Sequence, residues 1–222
     1  MSADDEATGW FEPLYAAAAR GETDVPWDRG GPSPLLVEWA SARSLDGAGR
    51  RALVVGAGLG GDAEHVAGLG FDTLAFDISP TAVRLAQERY PGSRVTYAVA
   101  DLFAAPPEWA GAFDLVVENI TVQALPADVR PRAIRAIADT VAPGGTLLVL
   151  SAAREPSEPA DGPPWPLVRE EVESFAAGGV EVVRIEDLRG TPPPWARRWR
   201  AEFTRPRVEF DHLTRRGRSA RR

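Results

Sequence analysis

Three glycines at alternate positions, Gly56, Gly58 and Gly60, fall in the run "VVGAGLGGD". Glycines let a chain turn sharply and let a ligand approach the backbone, and a helix that starts just after them offers unpaired N–H groups. Asp77 follows Gly56 by 21 positions and closes a second apolar stretch, "DTLAFDIS". A carboxylate at that spacing can accept both hydroxyls of a ribose. A third apolar stretch closes in "VADLF", which adds the carboxylate of Asp101 and the apolar side chain of Leu102. Taken singly, the glycines specify a tight turn, and each acid a helix cap or an ion pair. Three consecutive strand ends that each offer a suitable group point to a nucleoside site.

Two ligands suit such a site, a nicotinamide dinucleotide and S-adenosylmethionine. The glycines do not separate them, because Gly61 also satisfies the longer dinucleotide spacing. Asp101 favours S-adenosylmethionine, since a second acid at the third strand suits the exocyclic amine of adenine. Methyl transfer from that cofactor is an in-line displacement, for which the protein supplies alignment and a dry, shaped site. A hard nucleophile such as a hydroxyl needs a general base. The candidates near the fourth strand end are Glu118, Asn119 and Gln123, with no histidine among them. Glu118 has a competing role in binding the methionine amine. The lack of an evident base favours a soft acceptor: a thiol, selenol, halide or metalloid oxyanion. Arg154 or Arg169 could steer an anionic acceptor, although a surface salt bridge accounts for either. An N- or O-methyltransferase of secondary metabolism, a non-catalytic S-adenosylmethionine-binding protein and a dinucleotide oxidoreductase stay open.

Strands alternating with helices must position these groups. Residues 10–20 and 33–43 read as helices, the second with Ser33 as N-cap and Pro34 at its first position. Strands are expected at 51–55, 72–79, 94–102, 113–120 and 146–153, and two alternating ones at 179–188 and 197–206. Helices are expected after the glycine turn to Gly70, over "SPTAVRLAQERY", and over 130–142, where "PGG" stops the last. This pattern specifies an α/β fold, a doubly wound, mostly parallel seven-stranded sheet with helices on both faces. A single domain is expected, with residues 1–45 a helical lid segment, 50–203 the core and 204–222 a flexible basic tail.

Composition narrows the chemistry. The chain has 222 residues and a formal net charge of -7, which argues against a nucleic-acid-binding body. It has no cysteine and only two histidines, His65 and His212, which excludes disulfides and Cys-based sites and leaves no metal site expected. All 25 basic residues are arginine, so a P-loop and a Schiff-base lysine are excluded. No apolar run approaches membrane-spanning length and no signal peptide is evident. The expectation is a cytoplasmic monomer or weak homodimer acting on a small molecule, with no nucleic-acid or membrane partner.

The segments "LVVGAGLGGD", "FDIS", "VADLF", "FDLVVENI" and "VAPGG" resemble Rossmann-like class I S-adenosylmethionine-dependent methyltransferases. "PWDRGGPSPLL" and "DGPPWPLVREEVESF" are similar to the thiopurine S-methyltransferase superfamily, particularly its plant halide and thiol methyltransferase branch. The likeness runs from about Trp10 to Phe203. It implies that Phe11, Tyr15 and Trp27 close the cofactor pocket, and that Gly56, Asp77, Asp101 and Leu102 line it; the residue pattern adds Gly58, Gly60, Ile78 and Glu118 to the expected cofactor site. It implies that Trp27 folds over the glycine turn beside the sulfonium; the competing role is filling a gap between helix and sheet. The family's acceptor-side tyrosine corresponds to Asn119, a departure that argues against halide activity.

Overall fold

The structure, a computed structural model, describes residues 7–190 and 197–207. His212 and the expected tail from residue 208 onward lie outside the described residues. Helices α1 (Phe11–Ala19) and α2 (Pro34–Ala42) precede β1 (Arg51–Val55). Then come α3 (Gly61–Gly68), β2 (Asp72–Asp77), α4 (Pro80–Arg89), β3 (Thr96–Val99), β4 (Phe113–Asn119), α5 (Arg130–Asp139), β5 (Val141–Ala152), α6 (Arg169–Glu173), β6 (Glu181–Arg189) and β7 (Arg197–Thr204). The seven strands form one sheet in the order β3-β2-β1-β4-β5-β7-β6. Strands β1 to β5 run parallel, and β7 runs antiparallel between β5 and β6. The order reverses between β1 and β4, the place where open α/β sheets leave a crevice at their carboxyl ends.

Both faces of the central strands are buried, so those strands read as unbroken apolar runs. Side chains of a strand point alternately to opposite faces. Leu53, Val55, Val116, Leu147 and Val149 join Ile134 and Ile137 of α5 in one core. Ala52, Val54, Leu115, Val117 and Leu148 join Leu36 and Trp39 of α2 and Val66 of α3 in the other. The expected doubly wound architecture is therefore present.

Three local expectations need correction. Ser33 occupies the N-cap of α2 but makes no side-chain cap; its backbone N–H donates to Asp62 Oδ1 at 2.7 Å. Helix α5 ends at Asp139, and "VAPGG" belongs to β5, because Val141 is fully buried and pairs with Phe113. Within the expected lid segment, α2 is a core helix, and the site described below is bordered by Thr8, by α1 and by the loop after α1. At the other end, Thr204 completes β7 and Arg205 is tied to the sheet, its N–H bonding Gly145 O at 3.1 Å.

The loop carrying Trp27 lies on the start of α3. A Cβ at Gly61 would come within 2.5 Å of the Gly31 carbonyl oxygen and 2.6 Å of its carbon. Alanine improves helix propensity by about 1 kcal/mol, but overpacking against backbone costs about 1–3 kcal/mol and cannot be relieved by a side-chain rotation. Gly61→Ala is thus expected to lower the melting temperature by a few degrees. Gly68→Ala, in the same helix with open space around it, is expected to raise it. Thermal unfolding of the two variants checks this; shifts of the same sign would contradict the docking of this loop.

Candidate active site

The carboxyl ends of β1 to β4 open into one cavity holding about 630 Å³ of empty space, mouth included. Gly56 lines it after β1, Asp77 and Ile78 after β2, Asp101, Leu102 and Phe103 after β3, and Asn119, Ile120 and Thr121 after β4. Thr8, Phe11, Tyr15 and Trp27 line it from the N-terminal segment. Gly58, Gly60 and Glu118, expected in the pocket, do not line it.

Asp77 is buried, with 5% of its surface exposed. Its Oδ2 accepts the Gly58 N–H at 2.9 Å and its Oδ1 the Ser79 N–H at 3.0 Å. Burial raises its pKa, opposed by those N–H groups. A carboxylate offers about four lone-pair sites, so each oxygen keeps one for a further donor. Ser79 in turn caps α4, accepting the Ala82 N–H at 3.0 Å, with Pro80 at the first helical position as expected. Asp101 Oδ1 accepts the Phe103 N–H at 2.8 Å, which turns the chain so that Leu102 and Phe103 reach the cavity wall.

The glycines divide by role. Gly56 has φ 59°, and a Cβ there would collide with the Thr121 side chain, whose hydroxyl bonds Val55 O at 3.0 Å. Gly58 has φ 51°, and a Cβ there would lie 2.9 Å from Tyr15 Oη and 3.7 Å from Trp27 Nε1. Gly58 therefore admits the aromatic cover, and Gly60 admits the Tyr97 hydroxyl; both serve packing.

The cover is a connected group. Trp27 Nε1 donates to Tyr15 Oη at 2.9 Å, and their rings meet edge to face at 6.2 Å. Tyr15 is fully buried, and burial together with the Asp77 charge raises its pKa. Phe11 stacks on Trp10 at 4.2 Å and meets Trp27 edge to face at 6.3 Å. Glu12 fastens α1 to the turn after β2. It accepts bonds from Ser79 Oγ, from Thr81 N–H at 3.1 Å and from Thr81 Oγ1 at 2.6 Å. No local sequence signal marks this contact, whose partners lie 67 and 69 positions apart.

At the end of β4 the three candidates for acceptor-side chemistry, Glu118, Asn119 and Gln123, separate. Glu118 is 1% exposed, its Oε1 accepts the Val122 N–H at 2.9 Å, and its Oε2 has no hydrogen-bond partner among the described residues. Asn119 faces the cavity, but its amide is engaged: Nδ2 donates to Asp62 Oδ2 at 2.8 Å and Oδ1 accepts from Arg198 Nη2 at 3.3 Å. Gln123 is buried and accepts the Ala152 N–H at 2.7 Å. Ile120 holds φ 71°, a left-handed conformation that costs a β-branched residue of order 1–3 kcal/mol and that clusters at functional sites. Arg154 spends its donors on the carbonyls of Pro166, Glu155 and Glu158, and Arg169 pairs with Glu173; neither lines the cavity.

Burial pushes the Glu118 carboxyl up from 4.5 to about 7, with backbone N–H groups and Arg198 pulling the other way. A carboxyl whose pKa is raised by folding stabilises the fold fully below its unfolded pKa. That stability is lost as the pH rises from about 4.5 through about 7. Glu118→Gln removes this dependence. The variant is expected to gain on the order of 2 kcal/mol relative to wild type between about pH 5 and about pH 8. Urea unfolding at both pH values checks it, and parallel behaviour of the two proteins would contradict it.

The sheet order, the antiparallel β7 and a cavity at the ends of β1 to β4 define the Rossmann-like class I methyltransferase fold. A solved structure reported under "Conversion of a Disulfide Bond into a Thioacetal Group during Echinomycin Biosynthesis" matches with a TM-score of 0.70 at 26% identity, over 88% of this chain and 93% of that one. The family model described as thiopurine S-methyltransferase matches residues 19–205, and the chain belongs to the thiopurine S-methyltransferase family. The ubiquinone biosynthesis O-methyltransferase of Xanthomonas axonopodis pv. citri (strain 306) is 36% identical over 141 residues, 59% of this chain and 57% of that protein. Thiocyanate methyltransferase 1 of Brassica oleracea is 31% identical over 130 residues, 57% of this chain and 56% of that protein. The chain thus spans a little over half the length of the curated relatives it matches.

No helix among the described residues is long and apolar enough to cross a membrane.

Proposed function

We propose that the protein binds S-adenosylmethionine in the strand-end cavity and transfers its methyl group to a soft small-molecule nucleophile. The observation that carries this reading is the pair of carboxylates, Asp77 and Asp101, at the ends of adjacent strands in one cavity whose other end, at β4, is lined by uncharged side chains. Asp77 has a lone pair on each oxygen for the two ribose hydroxyls. Asp101 accepts from the exocyclic amine, and Ile78, Leu102 and Phe103 supply apolar walls for the adenine. The turn at Gly56 brings backbone close to the ligand. When bound, S-adenosylmethionine supplies a sulfonium-activated methyl group, whose displacement by an acceptor sulfur leaves S-adenosylhomocysteine, the thiol proton passing to water. Phe11, Tyr15 and Trp27 exclude water from that centre.

The acceptor end presents Asn119, Thr121, Ile120, Ala124 and Leu125, and among the described residues no side chain there is a general base. A thiol needs none, since a few per cent of it is thiolate near neutral pH. The rate is therefore expected to rise with pH through the acceptor's own pKa. Calorimetry with S-adenosylmethionine and NAD, followed by turnover on thiols, thiocyanate, phenols and amines, tests the reading. NAD binding without S-adenosylmethionine binding would overturn it. The identity to a ubiquinone biosynthesis O-methyltransferase favours a second reading, methylation of a phenolic hydroxyl; turnover on phenols alone would establish that instead. The same reading takes the protein as a monomer or weak homodimer without nucleic-acid partners, which light scattering and gel-shift measurements check.

A further inference from the structure

Asp28 follows Trp27 directly and makes a forked ion pair with Arg89, the last residue of α4, 61 positions away. Arg89 Nη1 donates to Asp28 Oδ1 at 2.9 Å and Nη2 to Oδ2 at 2.9 Å. Asp28 Oδ1 also accepts the Gly30 N–H at 3.0 Å, and the Asp28 N–H closes a turn on Val25 O at 3.0 Å. One carboxylate therefore shapes the turn that carries Trp27 and ties that turn to α4. The bonds from Arg89 hold the Asp28 carboxyl below its ordinary pKa, so it stays ionised. The other side of the turn is apolar: Val25 is buried in one cluster with Tyr15 and with Ala82 of α4, and Trp27 packs against it. Helix α4 thus carries both halves of the cover. Glu12 of α1 is fastened at its start, through Ser79 and Thr81, and Asp28 at its end. A cation in the last turn of a helix also suits the helix dipole, and Arg84 with Glu88 is an ordinary pair within the helix. The two-pronged geometry and the long reach in sequence set Arg89 apart from both.

We propose that Arg89 is a positioning residue for the cofactor, acting through Asp28 to hold Trp27 over the strand-end cavity. The proposal rests on the methyltransferase reading of that cavity. Arg89 does not line the cavity, so its route to the cofactor runs through Asp28 and the indole. An isolated surface ion pair contributes little, but a bidentate one fixes direction as well as distance. Here the two side chains are only 33% and 26% exposed. Holding the turn closed in the free protein removes part of the ordering cost from binding. Without the fork the turn samples open positions, and the apparent affinity falls with the fraction that is closed.

Calorimetric titration of S-adenosylmethionine into wild type, Arg89→Ala, Trp27→Ala and the double variant forms a cycle that separates positioning from general stability. Arg89→Ala is expected to weaken binding about fivefold where Trp27 is present, and less than about twofold where Trp27 is already alanine. Melting curves check that each variant folds. Arg89→Lys keeps the charge and loses the fork, and is expected to weaken binding about threefold. Hydrogen exchange of the backbone amides of residues 25–31 in the free protein is expected to be faster in Arg89→Ala than in wild type, with exchange in β1 unchanged. Unchanged affinity in Arg89→Ala, or an equal loss in both Trp27 backgrounds, would overturn the proposal. If wild type bound no S-adenosylmethionine, the methyltransferase reading would fall and the exchange comparison alone would decide whether Arg89 holds the turn. Equal exchange in wild type and Arg89→Ala would overturn that as well.

Discussion

Asp77→Asn is expected to weaken S-adenosylmethionine binding by 100-fold or more, on the order of 3 kcal/mol, while leaving the protein folded. The carboxylate has two tasks. It holds the Gly58 and Ser79 N–H groups, and it offers the remaining lone pairs to the ribose. Asparagine keeps one acceptor oxygen and the same shape, but sets an NH₂ group against a backbone donor and against a hydroxyl. Its stability cost is offset in part, because a neutral amide removes the desolvation that raises the Asp77 pKa. Hydrogen bonds to a charged group contribute about 1.5–3 kcal/mol each, so losing the charge outweighs that offset for the ligand. Titration calorimetry with a melting curve separates the two effects. Affinity within threefold of wild type would remove Asp77 from the cofactor site.

Trp27→Ala is the second large effect: about 30-fold weaker cofactor binding, with a melting temperature lowered by only several degrees. The indole is half-buried, so its truncation costs less stability than a core tryptophan's 3–5 kcal/mol. Its contact with a cation would be worth about 0.5–2 kcal/mol, with loss of water exclusion added. Trp27→Phe separates ring from hydrogen bond, because it keeps an aromatic face and loses the donor to Tyr15 Oη. It is expected to retain affinity within about fivefold. A lowered melting temperature with unchanged affinity in Trp27→Ala would make the residue a filler between helix and glycine turn.

Much of this site was legible in local sequence because strand ends and helix starts are local events. Asp77, Ile78, Asp101 and Leu102 follow apolar runs, and Ser79-Pro80 marks a helix start that the structure bears out. What was missed depends on partners distant in sequence. Gly58 and Gly60 read as ligand glycines, yet their neighbours Tyr15 and Tyr97 are what a Cβ would strike. Glu118 stands at the expected strand end, but its buried carboxyl is not among the groups lining the cavity. Both faces of β4 are buried, so the alternation of Val117 and Glu118 carries no signal about which face opens to a cavity. The bonds of Asn119 to Asp62 and Arg198, the contact of Glu12 with α4, and the left-handed Ile120 have no local signature at all.

The most direct test of the central claim is mass spectrometry of acceptors after incubation of the full chain with S-adenosylmethionine carrying a trideuteriomethyl group. With a mixture of thiols, thiocyanate, phenols and amines present, the expected result is a trideuteriomethyl group on sulfur, formed by wild type and lost in Asp77→Asn. Absence of label from every acceptor, from a protein that calorimetry shows to bind NAD and not S-adenosylmethionine, would contradict the account.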